Sequence, residues 1–108
     1  MMDEARGIAR RLAALSDLMA QSADQARDAA EARYRASSAT LVERERIKLA
    51  AALDSDDRIT TAWALRSVAD MMKGLIDVGA DFPDSAPDLW QEASDLADHA
   101  HAVERASR

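Results

Sequence analysis

The chain has 108 residues, with 14 Lys and Arg against 20 Asp and Glu, a formal net charge of −6, and no cysteine. The absence of cysteine excludes a disulfide scaffold, a thiolate metal site and a cysteine nucleophile. No apolar run approaches the ~20 residues of a bilayer-spanning helix, and the amino terminus carries no apolar stretch of signal-peptide kind. A cytoplasmic protein is the expectation.

Alanine is the most frequent residue, at 25 positions, whereas Leu, Ile, Val and Phe together supply 19. Such a core is thin: alanine buries little area at roughly 25 cal/mol per Å2. A chain of this length with few large apolar residues often completes itself against a second copy, so self-association is expected. The excess of Arg over Lys, 12 to 2, points to a GC-rich genome of bacterial or phage type.

Helix formers dominate and no stretch alternates with period two, which predicts an all-α fold. The first helix is predicted over residues 3–36, as one unbroken rod. Its stripe reads Ile8, Leu12, Leu15, Met19, Ala23, Ala26, Ala30 and Tyr34, large residues giving way to alanine. A rod of that length, about 50 Å at 1.5 Å per residue, protrudes from a small domain and suits a dimer seam along Ile8 to Ala30. A break near Gln21 and Ser22, with Ser22 and Gln25 as a capping box, is the alternative.

Ser37-Ser38-Ala39 reads as a break, after which Thr40 and Glu43 match a capping box and open a second helix over residues 41–53. Asp54-Ser55-Asp56-Asp57 stops it, and its first three residues are the candidates for the next N-cap. The third helix, residues 57–78, is the most apolar segment and reads as the central one. Ala62, Leu65, Ala69, Met72 and Ile76 form its main row, with Ile59, Trp63, Val68, Met71 and Leu75 beside it. Gly74 within it suggests close approach of another backbone. A loop from Phe82 to Pro87 precedes the fourth helix, residues 86–106, which is predicted to bury Leu89, Ala93, Leu96, Ala100 and Val103. The sum is a four-helix bundle-like single domain over residues 1–108, dimeric through its long first helix.

Charge is unevenly placed. Residues 80–108 hold seven acids and two bases, so five of the six net negative charges lie in the last quarter. Asp88, Glu92 and Asp95 fall on one face of the fourth helix, Asp98 flanks them, and Asp81 and Asp84 extend the line through the loop. Carboxylates at that spacing resemble the phosphates of a nucleic-acid strand. Together with Phe82 and Trp90 they form the candidate partner-binding surface.

Catalytic patterns are sparse. Asp95 and His99 share a helix face, but His101 points about 200° from His99, so the histidines do not chelate one metal together. No phosphate-binding glycine loop or His-Glu-x-x-His segment is present. Neither an enzyme nor a cofactor is expected. The favoured reading is an acidic accessory or inhibitor protein that occupies a basic nucleic-acid-binding site on a partner. Anti-CRISPR and other phage or mobile-element inhibitors are analogous in type, not in sequence. One alternative is a dimeric helix-turn-helix regulator with Arg58, Thr60, Thr61 and Arg66 on its reading helix. Another is a structural or chaperone-like bundle.

Overall fold

The computed structural model describes residues 2–78 and 86–106. Within them lie four helices and no strand: α1 (Met2–Asp24), α2 (Ala29–Asp54), α3 (Arg58–Asp77) and α4 (Ala86–Ala106). The last two agree with the sequence-predicted limits to within a residue. The first two do not.

The predicted rod over residues 3–36 ends at Asp24, and the cause is local. The Gln25 and Ala26 amides donate to the Ser22 and Ala23 carbonyls three residues back, at 3.1 and 3.3 Å, which tightens the last turn of α1. Asp28 then adopts an extended backbone and caps α2. Its carboxylate accepts from the Glu31 amide at 2.8 Å, and the Glu31 carboxylate accepts in return from the Arg27 amide at 3.0 Å. This reciprocal cap satisfies amides that a helix start otherwise leaves unpaired.

The break predicted at Ser37-Ser38-Ala39 is absent, because α2 runs through it. The hydroxyls of Ser38 and Thr40 donate to the carbonyls of Tyr34 and Ala36, four residues back, at 3.1 and 3.0 Å. Thus satisfied, they have no need of a non-helical backbone. Glu43, predicted to pair with Thr40 in a cap, instead accepts from the Arg46 guanidinium.

The acidic stop after α2 is as predicted. Asp56 has a left-handed backbone, φ 54°, a conformation that Asp tolerates better than most side chains. The cap of α3 is Asp57, not one of the three residues before it, because its carboxylate reaches the Ile59 amide at 3.0 Å and the Thr60 hydroxyl at 2.6 Å.

Contacts between four pairs of helices show the packing. Arg35 donates to Ser22 across α2 and α1, Ser67 to Glu45 across α3 and α2, and Arg11 to Glu92 across α1 and α4. Between α3 and α4, Trp63 meets His101 while Lys73 lies over Trp90. Residue numbers rise on α3 as they fall on α4, so this pair is antiparallel. Each helix thus flanks two others, with α1 and α3 on a diagonal, as in an up-and-down bundle. No helix is central, which corrects the role predicted for α3. The molecule measures 53 × 25 × 18 Å.

The core runs along the axis of this bundle. Ile8, Leu12, Leu15 and Met19 of α1 meet Val42 and Leu49 of α2 and Leu65, Val68 and Met72 of α3. Among the described residues, eight of the twenty buried hydrophobic ones are alanine. On α4 the buried set is Leu89, Ala93, Ala97 and Ala100; Leu96 is half-buried, and Val103, predicted inside, is exposed.

Two further expectations on α3 are corrected. Trp63 is 63% and Ile59 48% exposed, because Thr61, Ala62 and Leu65 take the inward positions and turn these two outward. Gly74 is exposed, and a Cβ added there would meet nothing within 4 Å. The glycine therefore serves no close approach. Gly74→Ala is expected to raise the unfolding free energy by about 1 kcal/mol, the helix-propensity difference, read from the urea midpoint at unchanged slope.

Candidate functional site

Of the described residues singled out for partner binding, Trp90 and Asp98 turn toward α3, and Glu92 and Asp95 lie where α4 meets α1. Between them runs an open groove of about 500 Å3, lined by Glu4, Gly7, Ile8 and Arg11 from α1 and by Glu92, Asp95, Leu96 and His99 from α4. Its floor is apolar, from Gly7, Ile8 and Leu96. Its rim is ionic. Acids at positions 88, 92 and 95 recur along α4 with rises of about 6 and 4.5 Å at 1.5 Å per residue, and all three side chains are exposed.

Their charges are not equally free. Arg11 pairs with Glu92 and Arg66 pairs with Asp98. Asp95 accepts from the Gln91 side-chain amide at 2.9 Å. Trp90 is half-buried, packed against the core, with the Lys73 ammonium 5.9 Å from its ring centroid. Asp81, Phe82 and Asp84 lie outside the described residues. The acidic surface on the described part of α4 is therefore centred on Asp88 and Asp95, with Glu92 and Asp98 bridged to neighbouring helices. Sequence reasoning missed Arg11 altogether and gave Arg66 a different role from its pairing with Asp98.

The predicted dimer seam is divided by the fold. Ile8, Leu12, Leu15 and Met19 are buried within the chain's own core. Ala23 and Ala26 are half-buried near the α1–α2 turn, and Ala30 is exposed on α2. The long stripe is thus folded onto itself rather than presented along one rod.

The helix-turn-helix residues are also differently placed. Thr60 is engaged with Asp57, Thr61 is buried with its hydroxyl on the Asp57 carbonyl at 2.7 Å, and Arg66 is paired with Asp98. The Ser67 hydroxyl donates to Glu45 at 2.7 Å, though each lies nine residues from its end of the turn. Helices splayed at the 90–120° of that motif would hold these positions far apart. Instead α2 and α3 lie side by side.

Asp95 and His99 both reach the α1–α4 groove, but among the described residues no three His, Asp or Glu side chains group to hold a metal ion. Buried side-chain polar atoms among these residues all have partners. Also among them, no helix is long and apolar enough to cross a membrane.

A second, wider groove of about 650 Å3 separates α1 from α2 on another side. Four alanines and Ile47 line it, with Ser16, Thr40, Asp24, Glu43, Arg44 and Lys48 around them. The Arg46 guanidinium, by hydrogen bonding, holds the Glu43 carboxyl below its ordinary value, and Ser16 assists.

Comparison with known proteins yields no match to a protein family, to a curated protein or to a solved structure.

Two outcomes are expected from these environments. Glu43 is held low by Arg46, and Asp57 by the Thr60 hydroxyl and the Ile59 amide. Depressed carboxylates stabilise the fold fully above their unfolded values, 4.5 and 3.8, and lose that contribution as pH falls through the lowered folded values. Urea midpoints measured from neutral pH downward should decline over that range, and less steeply in the Glu43→Gln, Asp57→Asn double variant. Separately, Trp63→Phe should shift the tryptophan emission to shorter wavelength and reduce acrylamide quenching, because it leaves only half-buried Trp90. Trp90→Phe should do the reverse.

Proposed function

We propose that this chain is a non-enzymatic protein-binding module that acts through the α1–α4 face. Its partner carries a basic site that otherwise holds nucleic acid. The observation behind this reading is the run of exposed carboxylates at Asp88, Glu92 and Asp95 above an apolar floor of Gly7, Ile8 and Leu96. Carboxylates at near-phosphate spacing offer a basic groove the charge pattern it evolved to meet, and an apolar floor adds the desolvated contact from which affinity arises. Arg11 and Glu92 form an exposed pair of little intrinsic worth, so a partner arginine can take over Glu92 at small cost. The reading includes a cytoplasmic inhibitor or accessory protein of the phage or mobile-element kind, working as a homodimer.

The test is capture from a bacterial lysate by the tagged wild-type chain beside an Asp88→Asn, Glu92→Gln, Asp95→Asn variant. The expected result is a nucleic-acid-binding protein held by the wild type, released by added duplex DNA or RNA, and bound at least ten-fold more weakly by the variant. Equal capture by both, or capture that nucleic acid does not displace, overturns the reading.

A further inference from the structure

The homodimer proposed above needs a surface. Most of the stripe first assigned to it, Ile8 to Met19, is buried within one chain. The α1–α2 groove is an open, mostly apolar recess of about 650 Å3. Alanines 20, 23, 36 and 39 line it, so a helix laid over it reaches the backbone closely.

The two ends of this groove differ in size and in charge. The antiparallel register, fixed by the contact of Arg35 with Ser22 and by the contact of Ser16 with Glu43, places Asp24, Ala23 and Ala36 at the end near the α1–α2 turn. Ile47, Arg44 and Lys48 occupy the other end, roughly 18 Å away by the rise of α2 from residue 36 to 48. Ile47 is 54% exposed, a bulky side chain in water beside a recess it does not fill. Neither Asp24 nor Arg44 has a hydrogen-bond or ion-pair partner among the described residues. The other charges at the Arg44 end are already matched: Glu43 is held by Arg46, and Lys48 lies 3.3 Å from Glu45.

We infer that this groove is the self-association surface, closed by the same groove of a second copy around a two-fold axis that crosses the helices. This inference rests on the homodimer reading and names its interface. An axis crossing the groove sets opposite ends against each other. Ile47 of each chain then enters the alanine-lined end of its partner, and Arg44 of each chain meets the partner's Asp24. A two-fold axis parallel to the groove would set Ile47 against Ile47 and Arg44 against Arg44, which gains neither contact. Size and charge both favour one arrangement, and that arrangement requires a second copy of this chain rather than an unrelated helix.

The oligomeric state of the full chain, measured by light scattering over a concentration series with circular dichroism as the folding control, tests this. The wild type should have twice the chain mass. Ile47→Glu, at an exposed position, should be helical and monomeric. Asp24→Arg and Arg44→Asp should each weaken dimerisation at least ten-fold, and the variant carrying both should regain it, because the exchanged charges again meet across the axis. A monomeric wild type at every concentration overturns the homodimer and this interface together. A dimer unaffected by Ile47→Glu, or weakened by both single charge changes without recovery in the double variant, overturns the interface while leaving the homodimer in place.

Discussion

The reversal of the chain at Asp28 is the constraint from which the rest of this architecture follows. Without it, α1 and α2 would form one rod, and the side chains of Ile8, Leu12, Leu15 and Met19 would have to be covered by another molecule. With it, α2 folds back on α1 and the same side chains become the centre of a core within one chain. The turn is held by polar contacts, not by glycine or proline: the Asp28 carboxylate accepts from the Glu31 amide, the Glu31 carboxylate accepts from the Arg27 amide, and Arg35 donates to both the carbonyl and hydroxyl of Ser22 at 2.9 Å while pairing with Glu31 at 2.6 Å. An Asp cap contributes about 1 kcal/mol on average. That figure is small beside the apolar area the reversal allows α1 to bury.

The polar nature of this turn explains what was and was not legible in the sequence. Helix α3 begins after a run of three acids and a serine and carries the densest apolar row, and the limits of α3 and α4 were plain. The break at Asp28 lay in an alanine- and arginine-rich stretch whose apolar phase continues through it, from Met19 past Ala30 to Tyr34. Asp28-x-x-Glu31 was the available signal, but two competing motifs, Ser22 with Gln25 and Thr40 with Glu43, have the same form. What separates them is whether the hydroxyl can bond back within a continuing helix, as Ser38 and Thr40 do. Trp63 was misplaced for a different reason: Ala62 and Trp63 are neighbours in sequence, and the smaller side chain took the inward position.

The acidic helix was legible as a face but not as a field. Its carboxylates stand exposed where the periodicity put them, yet two are answered by cations 81 and 32 residues away in sequence, Arg11 and Arg66. A sum of charge by segment cannot register such pairs, since they arise only when α1 and α3 are packed on either side of α4. These bridges tie the helix to both neighbours while leaving Asp88 and Asp95 as its outward charge.

That helix is held chiefly by methyl groups. Beyond Leu89, the buried positions on the described part of α4 are Ala93, Ala97 and Ala100, each contributing on the order of a single CH2 or CH3 group's worth of burial, about 0.8 kcal/mol. The α1–α2 pair, anchored by Leu12, Met19, Val42 and Leu49, has no such economy. Local opening in a protein follows the distribution of buried apolar contact. The amides of α4 therefore exchange with solvent ahead of those in α1 and α2, and the bundle's least tethered unit is the one that bears its acidic face.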